Sequence, residues 1–180
     1  CISFSNYQMS KIKIFFMLSG YQLTWLMCVF GEILYKSFLP GLICGLIFLF
    51  LVFTNSQQKW KFTFMVFSIS VVGYLFDSII VYFQIYNFNS SLNFGWLPIW
   101  MLVLWPSFAS LFDEVFVFLS KYKLIALLLS AVLGPLTYYS GSPLGLIDIN
   151  QLLLFFILMT TFWVFLMFFY LNYLLKVKFN

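Results

Sequence analysis

Asp77 stands inside the hydrophobic run Phe62–Tyr86, in the stretch Gly73-Tyr-Leu-Phe-Asp77-Ser78. A charge at the bilayer centre costs about 2.5–3.5 kcal/mol on insertion scales, so a carboxyl in such a run is expected to face protein and to carry function. The chemistry open to it is proton carriage or the binding of a lipid head group. The alternative is a neutral, hydrogen-bonded acid that locks helices together. Gln22, Glu32, Trp100, Trp105 and Tyr138 are the further candidates for a pocket around it. Glu32 precedes Lys36 by one helical turn, the favourable order for an i,i+4 pair, and an interfacial ion pair is expected there. Gln22 is expected to bond across helices as polar glue.

Other chemistries are excluded by composition. The chain has no His, which removes the commonest general base, although Asp or Glu can serve. It carries no nucleotide-binding glycine loop and no Ser-His-Asp set. Cys1, Cys28 and Cys44 lack CxxC spacing, so a zinc site of the Cys/His type is not expected, and the cysteines read as small hydrophobes. No metal and no cofactor are called for. The net charge is +4, but the lysines come as scattered pairs and not as a patch, which argues against nucleic acid.

The elements that must position these groups follow from hydropathy. The 180 residues are 64% hydrophobic and 8% charged, against about 25% charged in a soluble domain. Such a chain cannot cover a globule in water. It predicts an all-α, polytopic membrane helix bundle in one domain, with membrane lipids around it. Six transmembrane helices are expected near 14–35, 38–53, 62–86, 96–118, 124–139 and 152–175, each approaching or exceeding the length that crosses a bilayer. Pro40 falls in the first turn of the second span, where its missing N–H is tolerated. The start of the chain shows no cleavable signal pattern, so the first helix is expected to stay. Asp113-Glu114 falls at the inner end of the fourth span, where carboxylates meet water.

Six crossings put Lys11, Lys13, Lys59, Lys61, Lys121, Lys123, Lys176 and Lys178 on one side and only Lys36 on the other. The positive-inside rule then places both termini in the cytoplasm. Trp96, Trp100, Tyr138 and Tyr139 near the outer face, with Tyr122, Tyr170 and Tyr173 near the inner one, fit aromatic belts. Gly41-x-x-x-Gly45 offers a small-residue face. Packing within the bundle is expected to use it; a homo-oligomer or a membrane-enzyme partner is the other use.

At 1.5 Å of rise per residue, Asp77 lies in the outer half, nearer the middle than the surface. Cys28, Cys44, Trp105-Pro106, Gly134-Pro135 and Thr160-Thr161 fall at similar depth. Each proline frees a carbonyl one turn back, near Leu102 and Ala131, which must find a donor inside the protein. A protonated Asp77 or the Trp105 indole N–H is expected to supply it. The functional form of this layer is a small polar cavity open to the outer face.

The ordered motifs carry a resemblance. Ser-Gly20-Tyr-Gln22-x-x-Trp25, Gly73-x-x-x-Asp77-Ser78, Pro98-x-Trp100-x-x-x-x-Trp105-x-x-Phe108-Ala109 and Gly134-Pro135-x-x-Tyr138-x-x-Gly141-x-x-Leu144-Gly145 span nearly the whole chain. Together the chain resembles the bacterial integral membrane family catalogued as domain of unknown function 2878. The resemblance implies a multi-pass protein of the bacterial inner membrane with no established activity. It also implies an association with lipid metabolism, since family members tend to sit among genes for membrane fatty-acid modification. Where the family more often shows Asn-His, this chain has Asp113-Glu114, so a catalytic role of that His would be missing here.

The leading expectation is therefore lipid or fatty-acid handling or modification through an outward-facing polar pocket around Asp77. A small proton-linked transporter is the second reading, weakened by the short chain and the absence of an evident inverted repeat. A non-catalytic membrane partner or scaffold of a lipid enzyme is the third.

Overall fold

The computed structural model describes residues 11–174. Six helices follow one another: α1 (Lys11–Tyr35), α2 (Leu39–Asn55), α3 (Lys59–Tyr82), α4 (Met101–Glu114), α5 (Lys123–Tyr139) and α6 (Leu152–Phe169). A 3-10 segment, Phe116–Tyr122, joins α4 to α5, and a π turn, Tyr170–Leu174, extends α6. Cys1, Lys176 and Lys178 lie outside the described residues, as do the side chains of Lys11, Asp113 and Glu114.

Four helical stretches are long and apolar enough to cross a membrane: Ile12–Tyr35, Lys59–Tyr82, Leu119–Tyr139 and Leu152–Leu174. Leu39–Asn55 and Met101–Phe112 are apolar but shorter. The outward faces are as apolar as the inward ones. Phe50, Phe67, Leu128 and Leu153 all point away from the core. A helix that is hydrophobic all round needs an apolar environment on every side, which a bilayer supplies.

Helix bounds differ from the expected spans where caps intervene. α3 stops at Tyr82, four residues short of the expected end, because Gln84 takes a left-handed conformation (φ 54°). Gln84 N–H donates to the Val81 carbonyl and Ile85 N–H to the Ile80 carbonyl, which is the Schellman closure of a helix. The fourth helix begins only at Met101, because the residues before it form a ribbon. β2 (Asn93–Phe94) pairs with β3 (Leu97–Pro98) across the Gly95–Trp96 turn, where Gly95 has φ 65°.

The loops thus contain strands that hydropathy did not foretell. β1 (Tyr86–Phe88) pairs antiparallel with β4 (Ile147–Ile149), joining the α3–α4 and α5–α6 connections. Ser91, in the first of these connections, donates to Glu32 at the end of α1. Three connections therefore meet at one end of the bundle. At the opposite end, Lys123 Nζ at the start of α5 donates to Asn172 Oδ1 beyond α6 (3.5 Å).

Helix contacts follow the small residues. α1 packs on α2 and α4, α3 on α4, and α5 on α6. A Cβ added at Gly41 would meet Cys28 of α1, and one at Gly45 would meet Val103 of α4 and Thr24 of α1. The Gly41/Gly45 face, which was open to a partner on sequence grounds, is thus filled from within the chain. A second, smaller core cluster of Met17, Phe48, Val52, Phe62, Leu111 and Val115 binds α1 to α4 together near the lysine-bearing end.

Candidate functional site

Asp77 has no exposed surface, and each of its oxygens is held. Tyr86 OH donates to Oδ1 at 2.6 Å, while Trp105 Nε1 and Tyr138 OH donate to Oδ2 at 2.7 and 2.8 Å. The donors come from the β1 strand, α4 and α5, so one carboxyl ties three segments to α3. Protein donors replace the water that the carboxyl loses, which burial of such a group requires.

Local sequence explains how the donors arrive. Gly73 sits one turn before Asp77, and a Cβ there would collide with the Trp105 ring. Its absence lets the indole lie flat on the α3 backbone with its N–H one turn further on, at Asp77. The same device recurs on α5: Gly134 makes room for the Trp163 ring of α6, one turn before Tyr138. Trp105 and Trp163 then stack on each other, with centroids 5.7 Å apart and planes 16° from parallel. The Schellman turn at Gln84 folds the chain back so that Tyr86 reaches over the end of α3. Its ring packs edge-on to Phe88 and Phe155.

Beside this cluster lies a cavity of about 220 Å³ between α1 and α5. Tyr21, Trp25 and Val29 form one wall, and Leu129, Leu133 and Thr137 the other. Trp100 at the start of α4, Trp105 and Phe108 within it, and Trp163 of α6 form the floor. Leu129, Leu133 and Thr137 are also exposed on the outside of the bundle, so the cavity reaches the lateral surface. Its lining is apolar. Asp77 does not line it; Tyr138 and Trp105 do, and they separate the acid from the space. The polar cavity expected around Asp77 is thus an apolar one, with the acid behind its wall.

The remaining candidates scatter. Trp100, expected in an outer aromatic belt, is buried and lines the cavity floor. Tyr170, expected in the inner belt, is fully buried and donates to the Phe112 carbonyl at 2.6 Å. Trp96, Tyr122, Tyr139 and Tyr173 are exposed near helix ends. Gln22 is exposed beside the cavity, in a second recess with Thr137 and Ser140. Glu32 is buried but shares no partner with Asp77: its two oxygens accept from Ser91 N–H and Ser91 Oγ, both at 3.0 Å. The expected Glu32–Lys36 pair is replaced by this loop anchor, and Lys36 is exposed in a left-handed turn (φ 48°).

The prolines also resolve differently. Ala131, freed by Pro135, accepts from Thr160 Oγ1 at 3.4 Å, so a hydroxyl of the same layer serves where Asp77 or Trp105 was expected. The Trp105 N–H is committed to Asp77. Sequence reasoning missed Tyr86 and Trp163. A Trp in mid-span, away from both interfaces, was the available signal for Trp163; nothing local points to Tyr86. Among the described residues no group of three His, Cys, Asp or Glu could hold a metal.

The fold is therefore an all-α bundle of membrane type, stitched at one end by short ribbons and centred on a buried, donor-saturated acid. Residues 14–169 match the family described as protein of unknown function DUF2878, and the chain belongs to that family. Comparison with curated proteins found no match. Comparison with solved structures found none either.

Proposed function

We propose that this protein crosses the bacterial inner membrane six times and handles lipid by holding an acyl chain in the cavity between α1 and α5. The observation that carries the reading is the cavity itself: an apolar space with aromatic walls that opens sideways, where a bilayer would lie. Apolar surface exposed in this way is stable only when covered, and acyl chains are what a bilayer offers.

Six crossings with both ends cytoplasmic are supported by the meeting of the three odd-numbered connections at one end of the bundle. Those connections carry only Lys36, while Lys59, Lys61, Lys121 and Lys123 belong to the other end. α2 spans about 25 Å and α4 about 21 Å, so the bilayer would thin beside them or neighbouring segments would complete the crossing. In this reading Asp77 is a positioning residue. It holds the Tyr138 and Trp105 side chains in place as cavity wall and does not touch the occupant.

Native mass spectrometry of the detergent-purified protein tests the proposal. The wild type is expected to retain about one lipid per chain, and a Leu129→Phe/Leu133→Phe double variant, which narrows the opening, to release it. Equal lipid retention by both proteins would remove the reading.

A further inference from the structure

Next to the apolar cavity lies a second recess of about 230 Å³, lined by Gln22, Thr137 and Ser140 with Tyr21 and Trp25. Tyr21, Trp25 and Thr137 line both spaces, so the two are immediate neighbours. The lining of neither contains a charged residue. Two hydroxyl protons of the recess are already committed: Thr137 Oγ1 donates to the Leu133 carbonyl (2.8 Å) and Ser140 Oγ to the Thr137 carbonyl (2.6 Å). Both oxygens keep lone pairs free to accept. The Gln22 amide, exposed and unbonded to any other described residue, offers two donors and an acceptor. The Trp100 and Trp163 rings border the cavity, while their indole nitrogens are enclosed and present no surface to it.

We propose that cavity and recess form one site for a single-chain lipid with an uncharged, hydroxyl-bearing head, the chemistry of a glycerol monoester of a fatty acid. This rests on the acyl-chain reading above and names the class of lipid. One of the head's two hydroxyls donates to the Thr137 Oγ1 or Ser140 Oγ lone pairs and the other to the Gln22 carbonyl oxygen, while the Gln22 amide N–H donates to an ester oxygen. A phosphate finds no cation in either lining, so its charge would go unpaired there. The cavity alone, at about 220 Å³, lies below the roughly 300–1,000 Å³ of drug-sized pockets, so it takes one chain and not two and leaves the recess for the head. From Ala126 to Thr137, α5 flanks the cavity for about 17 Å, close to the roughly 15 Å depth of one hydrocarbon leaflet.

Quenching of tryptophan fluorescence tests this with two probes that share a tail: dibrominated stearoyl glycerol and dibrominated stearoyl lysophosphatidylglycerol. The purified wild type is expected to show saturable quenching by the glycerol ester, with a Kd at least about tenfold below that of the lysophospholipid. Gln22→Leu and Thr137→Val should each raise the glycerol-ester Kd about three- to tenfold, the loss of a hydrogen bond, and leave the lysophospholipid unaffected. Equal affinity for the two heads, or indifference of the glycerol ester to both substitutions, would overturn the head assignment while the cavity reading stands. Absence of saturable quenching by either probe, or quenching undiminished in Leu129→Phe/Leu133→Phe, would overturn both.

Discussion

The α3–α4 seam and the α1–α5 seam use similar aromatic residues to opposite effect. Along α3, Gly73 removes the side chain that would hold Trp105 off, so ring and backbone close and the indole N–H reaches Asp77. Along α1 and α5, Tyr21, Trp25, Leu129 and Leu133 face the space between the helices. Bulky groups stand on both sides, Gly20 and Gly134 are taken up by Phe48 and Trp163, and the seam stays open. Polar satisfaction follows the same divide. Around Asp77 each carboxyl oxygen has a partner, whereas beside the cavity the Trp100 and Trp163 N–H groups have none among the described residues. Closed packing here builds a fixed polar knot, and failed packing leaves a room.

The comparison breaks most completely at Gly73. Gly73→Val drives two methyls into the Trp105 ring and strands the Asp77 bond, so a loss of about 4 kcal/mol is expected from overpacking and an orphaned acceptor together. The check is the fraction of monodisperse protein recovered after detergent extraction, which should collapse. Asp77→Leu comes next, at about 3 kcal/mol, because it leaves three donors facing a hydrocarbon. Asp77→Asn should cost only about 1 kcal/mol. Its oxygen can face the indole, which only donates, and its amide can face Tyr86, whose hydroxyl can rotate to accept. Thermal melts of the two variants side by side decide this; equal losses would show that charge, and not hydrogen-bond count, matters at the site.

Smaller effects sharpen the contrast. Glu32→Ala removes both bonds to Ser91 and should cost about 1 kcal/mol, read as faster amide exchange across residues 86–98 while α3 stays protected. Thr160→Val removes the long bond to the carbonyl freed by Pro135, and about 0.5 kcal/mol is expected in the same melts. A loss above about 2 kcal/mol there would mean that the proline layer is as tightly knit as the Asp77 knot.

Hydropathy and lysine spacing made the helix count legible, because a bilayer-length apolar run and a charged turn are properties of contiguous residues. The pair of Gly73 and Asp77 was legible for the same reason: one turn of helix separates them. Pro135 with Thr160 was readable as a shared depth, though not as a bond. Tyr86 was not legible, since its approach to Asp77 depends on a left-handed Gln84 that no composition rule announces. Glu32 and Ser91 lie 59 positions apart, and three-residue strands are too short to show an alternating pattern. The apolar character of the cavity was hidden for another reason. Depth places residues in layers, but only packing decides which of them face a common space.

The stacked pair Trp105 and Trp163 has an optical consequence. Two parallel indoles at 5.7 Å couple their excited states, so they should contribute a paired positive and negative band in circular dichroism that isolated tryptophans lack. One member touches the acid and both border the cavity. The protein thus carries its own chromophore dimer, and any occupant that tilts the Trp163 plane must change the sign or splitting of that band.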